Sequence, residues 1–226
     1  FVRCPRQVLI DGPDSEIPAV YQDLTGTAYE APASASQAID DLGRAVNTIV
    51  HMKNLSELAV DLAYSSVLFD SEELAEEVQN LEVEVDALES RFEAWVLRAA
   101  PDIDDPVSLR GLIHLGTSTE AISDAAVEIS EGVLRDIEVH PVVRLAVQES
   151  DEIITRVEIE PGSALDGTTV RAGLPDADVT MSVIGIRRPD EGWILVADTD
   201  VELRSDDVVI AKGTRTAAEQ FDDLAG

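Results

Sequence analysis

Between residues 74 and 95 the apolar side chains recur in alternating steps of four and three: Leu74, Val78, Leu81, Val85, Leu88, Phe92 and Trp95. That spacing gathers all seven on one stripe of an α-helix, whereas a strand turns its side chains over at every residue. Such a stripe needs other helices to cover it. A preceding helix over 37–69 presents Val46, Ile49, Leu55, Leu58, Leu62 and Phe69. A third opens at Asp105-Pro106, where aspartate can cap and proline suits the first turn. It runs through Leu112, Leu115, Ile122, Ile129 and Val133 and stops before Pro141. Ahead of the middle helix, Asp70 stands three residues before Glu73, a capping arrangement. Three long helices with short connections predict an antiparallel bundle over 37–140.

Near residue 142 the period changes to two. In "IITRVEIE" Ile154, Arg156 and Glu158 alternate with Thr155, Val157 and Ile159. "VTMSVIGIRR" and "WILVADTDVELRSDDVVIAKG" follow, with turns at "RPDEGW" and "RSDD". A closing helix brings Ala217, Phe221 and Leu224 to one side. The fold class is therefore α + β: a helical bundle, then a small sheet domain over 142–226. Residues 1–36 hold one short strand-like run, "RQVLIDG", and then a stretch rich in Pro, Ala, Ser and Gly, which reads as a lead-in or linker arm.

Charge sets the next limit. The 226 residues carry 46 acids against 16 bases, a net charge of −30. Such self-repulsion strains a compact fold unless salt screens it, and at molar salt the Debye length falls to about 3 Å. Abundant carboxylates, two lysines (Lys53 and Lys212) and 4% aromatic residues suggest a salt-filled cytosol, as in a halophilic archaeon. An acidic face for a basic partner is the rival explanation. The charge argues against nucleic acid. No apolar run reaches the ~18–20 residues of a membrane span, so no direct membrane insertion is expected. A lone cysteine, Cys4, excludes an internal disulfide and a multi-cysteine zinc site.

The stretch "VEIEPGSALDGTTVRAG" sits between the first two strand-like runs. Pro161-Gly162 ends a strand, Ser163 can cap a short helix, Leu165 and Val170 plug that helix onto the sheet, and Gly167 lets the backbone turn closely. Gly162, Ser163, Leu165, Gly167, Thr169, Val183, Ile186, Arg188, Asp200, Leu203, Asp207 and Gly213 fall in the order of a TrkA-C domain. The C-terminal part resembles that family, the C-terminal half of regulators of potassium conductance, over about 80 residues. It departs at Thr168, commonly basic there, at Val170 and Val209, commonly leucine, and at Asp206, commonly glycine in the turn before the last strand. "LEVEVDAL" and "STEAISDAAVEIS", with its Glu120-to-Asp124 spacing, resemble the characteristic helices of a PhoU domain. A full PhoU protein has two such units and this chain one, which invites dimerisation to restore the missing half.

Two sets of residues are candidate sites. Glu82, Asp86, Glu89 and Glu93 make an acidic stripe on the second helix, and Glu120, Asp124, Glu128 and Glu131 make another on the third. Carboxylates at i and i+4 share a face. The PhoU resemblance implies a divalent metal at Glu82, Asp86, Glu120 and Asp124, while the residues alone equally suit a hydrated surface. Arg187 and Arg188 end the central strand and can receive an anionic ligand at a dimer groove, or pair with Asp190 and Glu191. Some TrkA-C relatives bind a cyclic dinucleotide there. His114 reads as partly buried, and His51 and His140 as lying near element ends. Trp95 and Trp193 read as packing residues. No nucleophile–base pair or phosphate loop is present, so no enzyme is expected.

The resemblances imply a cytoplasmic regulator, placed with archaeal potassium transport. A homodimeric TrkA-C module would sense a small ligand or ion, and the bundle would engage a membrane potassium channel or transporter subunit. A regulator of phosphate uptake, using the sheet only to dimerise, is the alternative.

Overall fold

The structure, a computed structural model, describes residues 33–135, 152–170, 181–195 and 201–226. Cys4 and the rest of the lead-in to residue 32, His140, the change of period near 142 and Asp200 lie outside them. Three long helices come first: α1 (Ala33–Phe69), α2 (Glu72–Ala99) and α3 (Leu109–Leu134). α1 begins four residues earlier than its apolar pattern. Between α1 and α2 the chain reverses through Asp70, which takes the left-handed φ of 56° that aspartate tolerates better than most residues. Ser71, not Asp70, is then the cap, its hydroxyl accepting the Leu74 N–H at 3.3 Å. Asp105 caps as expected: its Oδ1 accepts from Val107 N–H at 3.1 Å, and one 3-10 turn over Pro106–Ser108 leads into α3.

The 4-3 stripe of α2 is the bundle's core. Leu74, Val78, Leu81, Val85, Leu88 and Phe92 are buried, against Ile49, Met52, Leu55 and Leu62 of α1. α3 packs differently from its expected face. Leu115 and Ile122 are 54% and 48% exposed, and the buried residues are Leu109, Gly116, Thr119, Ser123, Ala126, Ser130 and Val133. The cause is close approach: a Cβ at position 116 would collide with the Phe92 ring. Thr119 and Ser130 tolerate that burial by bonding to helix carbonyls, whereas the Ser123 hydroxyl is buried without a partner. Thr119 Oγ1 donates to Leu115 O at 2.8 Å, Ser130 Oγ to Val127 O at 3.0 Å, and Ser56 Oγ to Thr119 O, across to α1, at 3.1 Å. Val46 of α1, also expected inside, is 47% exposed.

The strands β1 (Glu152–Glu158), β2 (Met181–Arg188), β3 (Gly192–Leu195) and β4 (Val208–Thr214) form one antiparallel sheet in the order β1-β4-β2-β3. A final helix, α4 (Arg215–Ala225), is capped by Thr214 and buries Ala217, Phe221 and Ala225. Period two serves both faces of this sheet. Val157, Ile186, Val209 and Ala211 join Leu165 and Phe221 in a core on the α4 side. Trp193, Val208 and Ile210 join the core of the bundle on the other side. The alternation thus marks two buried faces rather than one wet and one dry, and bundle and sheet share a hydrophobic seam.

The Pro161–Val170 corner is a run of turns, where a short helix capped by Ser163 was expected. Gly162 and Gly167 hold φ of 80° and 79°. The Gly162 N–H donates to Asp166 Oδ2 at 2.9 Å, so the aspartate does the fixing, and the Ser163 hydroxyl is buried without a partner. Leu165, 1% exposed, is the plug. Before β4, Asp206 adopts φ 68° and so forms the turn where the family commonly has glycine. Its N–H donates to Ile159 O at 2.9 Å. Replacing Asp206 with glycine should remove left-handed strain and raise stability by about 0.5–1 kcal/mol. Asp206→Val should lower stability in the same urea titration, and equal stability of the two variants would contradict the strain.

Candidate functional site

The bundle and the sheet meet around one carboxylate. Glu77 lies one turn into α2 on the flank of the apolar stripe and is 2% exposed. Arg187 of β2 grips it with two bonds, Nε to Oε2 at 2.6 Å and Nη2 to Oε1 at 2.7 Å. Arg156 of β1 adds Nε to Oε1 at 3.0 Å, and Asn80 Nδ2 donates to Oε2 at 3.1 Å. Two arginines from two strands thereby converge on one helix. They can do so because β4 lies between β1 and β2, with Arg156 beside Ile210 and Arg187 beside Val208. Burial pushes the Glu77 carboxyl up, but the hydrogen bonds from Arg187 and then Arg156 outweigh it and hold its pKa below the ordinary glutamate value.

Two turns further along α2, Glu84 takes the β2–β3 hairpin. Its Oε2 accepts the Trp193 backbone N–H at 3.0 Å. Gly192, at φ 77°, sits so close that a Cβ would be 2.8 Å from that oxygen, so both its backbone angle and its space select glycine. Trp193 is 4% exposed and packs, as expected of it, although its indole N–H is buried without a partner. His51 of α1 has Nε2 3.9 Å from Glu84 Oε1; it lies mid-helix, not at an end. His114 is exposed on α3 rather than partly buried.

Arg187 and Arg188 are adjacent in a strand and point to opposite faces. Arg188, 8% exposed, donates from Nε and Nη2 to the two oxygens of Asp207, each at 2.8 Å, and from Nη2 to Glu202 O at 2.9 Å. Asp207 also accepts the Arg204 N–H. Glu191 is a further partner of Arg188, at 3.3 Å, so one of the two acids expected beside the pair does engage it. The two guanidiniums thus do not converge on a common groove within one copy: one ties the sheet to the bundle, the other ties β2 to the turn before β4.

The acidic stripes do face each other. Burial, then Asp86 and Asp124, raise the pKa of Glu82. Burial, then Asp124, Glu89 and Asp86, raise that of Glu120. Burial, then Glu93, Asp86 and Asp124, raise that of Glu89. Residues of α2 and α3 therefore share one field. Among the described residues, however, no three His, Cys, Asp or Glu side chains are grouped to hold a metal ion. Glu82, Asp86, Glu120 and Asp124 all lie in that shared field.

The arrangement is a helical bundle clamped to a small sheet by buried charge. A PhoU domain model matches residues 49–133 and a TrkA-C domain model residues 154–226. The chain carries a PhoU domain followed by a TrkA-C domain, two families of regulatory, non-catalytic domains. Among solved structures it is similar to the crystal structure of the GsuK RCK domain, at 14% identity over 52% of this chain and 25% of that one, with a TM-score of 0.29. It thus spans a quarter of that structure's chain. No curated protein matches. Among the described residues no helix is long and apolar enough to cross a membrane.

Sequence reasoning missed Glu77, Arg156, Glu84 and Gly192. The signal available was an arginine in mid-strand and two glutamates seven residues apart beside an apolar stripe. Glu77→Gln leaves Arg187 without its paired carboxylate and Arg156 with only Glu158, at 3.7 Å, and should cost about 3 kcal/mol in urea unfolding at pH 7. With its pKa lowered in the fold, Glu77 contributes stability that is present above the ordinary glutamate value and lost as pH falls through the lowered one. The gap between the native chain and Glu77→Gln should close over that acid range; a gap that stayed constant would refute the linkage. The acidic stripes have the opposite sign. Their raised pKa values mean stability lost as pH rises, so Glu82→Gln or Glu120→Gln should gain about 0.3–0.5 kcal/mol at pH 7 and low salt. In molar salt, where the Debye length is about 3 Å, that gain should vanish.

Proposed function

We propose that this chain is a non-enzymatic, cytoplasmic regulatory subunit of a potassium channel or transporter. Its TrkA-C half pairs with a second copy and senses a small ligand or ion, and its PhoU half passes the bound state to a membrane partner. The observation that carries this reading is the buried Glu77 between Arg156 and Arg187, because it gives the sheet a mechanical hold on α2. A ligand anion that drew Arg187 away would leave a buried carboxylate undercompensated. Binding on the sheet would then shift the bundle between two arrangements, which is what coupling between sites requires.

The PhoU match favours a second reading, a regulator of phosphate uptake. The two separate in cells lacking the gene. Potassium-limited growth and potassium uptake should fail and be restored by the native chain but not by Glu77→Gln accumulated to the same level. A defect in phosphate uptake alone would support the second reading and overturn the first. In molar potassium chloride, equilibrium sedimentation should give twice the chain mass of 24.3 kDa. A monomer at every concentration would remove the paired sensor.

A further inference from the structure

Glu77, Glu84, Arg91 and Arg98 are seven residues apart on α2, so they run down one stripe with a slow drift. Arg44, His51 and Leu58 repeat in the same way on α1. Since α1 and α2 run antiparallel, Leu58 meets the level of Glu77, His51 that of Glu84, and Arg44 that of Arg91. The contact of His51 with Glu84 fixes this register. The sheet occupies the first two levels. Gly185 lies against Leu58, with a Cβ position 3.0 Å from its Cδ2, Arg156 and Arg187 hold Glu77, and the Trp193 N–H holds Glu84.

Beyond Glu84 the groove continues, and its polarity inverts. Arg44 and Arg98 each place the guanidinium carbon 4.7 Å from the centroid of the Trp95 ring. Among the described residues neither of them, nor Arg91, has a carboxylate partner, although the chain has 46 acids for 16 bases. Asp40, one turn from Arg44, and Asp102, one turn from Arg98, do not pair with them. Stacking on an indole satisfies a guanidinium's face and leaves its N–H edges open. Exposed arginines around a half-buried tryptophan are also the composition that concentrates binding energy at protein interfaces.

We propose that the open end of the α1/α2 groove, Arg44, Arg91, Trp95 and Arg98, is a docking surface for an acidic segment of a partner protein. Charge complementarity names the occupant. Where the groove offers carboxylates it takes N–H donors from the chain's own sheet, and where it offers guanidiniums it takes carboxylates. The net charge of −30 repels extended polyanions such as anionic bilayers, while a short segment can place a few carboxylates on these forks. This inference is independent of the ligand sensing and of the transported ion proposed above.

The test uses the full chain with Trp193→Phe, which leaves Trp95 as the sole indole. At low salt, a hexaglutamate peptide should shift Trp95 emission saturably. The apparent affinity should fall at least tenfold in Arg44→Gln/Arg98→Gln and in molar salt, and hexaglutamine should have no effect. Circular dichroism checks folding, and if the double variant does not fold, the exposed Arg91→Gln should still weaken the response severalfold. Absence of a shift, or a shift that survives the arginine substitutions, overturns the proposal. So does inorganic phosphate acting as well as the peptide, or anionic vesicles acting where the peptide does not. A change in Trp95 emission on Asp23→Asn/Glu30→Gln without added peptide would make the chain's own N-terminal residues the occupant and also overturn it.

Discussion

A carboxylate as sheltered as Glu77 has to be compensated where it lies, since a buried charge without a partner is far costlier than any single contact it makes. The compensating charge comes from β1 and β2, one arginine each, and the bundle adds only the amide of Asn80. That fixes which face of the sheet meets α2, how far along the helix it sits, and why Trp193, Val208 and Ile210 enter the same core as Leu81 and Val85. With the sheet so placed, Glu84 is within reach of the β2–β3 hairpin, and Gly192 follows as the residue that fits there.

The rest of the charge divides by the same test. Glu77, Glu84 and Asp207 each have donors aimed at them. Glu82, Glu89 and Glu120 face other carboxylates, and burial and those neighbours raise their pKa values. The first group positions elements; the second is a repulsive field along α2 and α3 that salt or hydrated cations relieve. Few bases are available, and Arg156, Arg187 and Arg188 are all spent on internal bonds. Any ligand anion at the end of β2 must therefore compete with a carboxylate already in place, and in that competition lies a route from the sheet to the helix.

Much of the framework was legible in the sequence. Steps of four and three named the core side of α2 residue by residue, and Gly162 and Gly167 marked backbone that only glycine adopts readily. What failed did so for physical reasons. α3 was read by its large apolar residues, whereas close packing on Phe92 selects small ones, and buried Thr119 and Ser130 bond to their own helix. The cap moved from Asp70 to Ser71 because the two-residue reversal takes Asp70 into the left-handed region. Ser163 caps nothing, since the chain after it runs as turns and forms no helix. Glu77 was invisible because its partners lie 79 and 110 residues away, and a glutamate on a helix flank ordinarily faces water. Of the candidate residues, the acids of α2 and α3 lie within one another's field, and the twin arginines turn to opposite faces.

Native-state hydrogen exchange tests most directly whether the sheet and the bundle are one mechanical unit. The slowest amides of α2 and of β2 and β4 should open with the same free energy and the same denaturant dependence, as members of one cooperative unit. If β2 and β4 exchange through a cheaper opening while α2 stays protected, the Glu77 clamp does not join the two parts, and the account of signal passing between them is wrong.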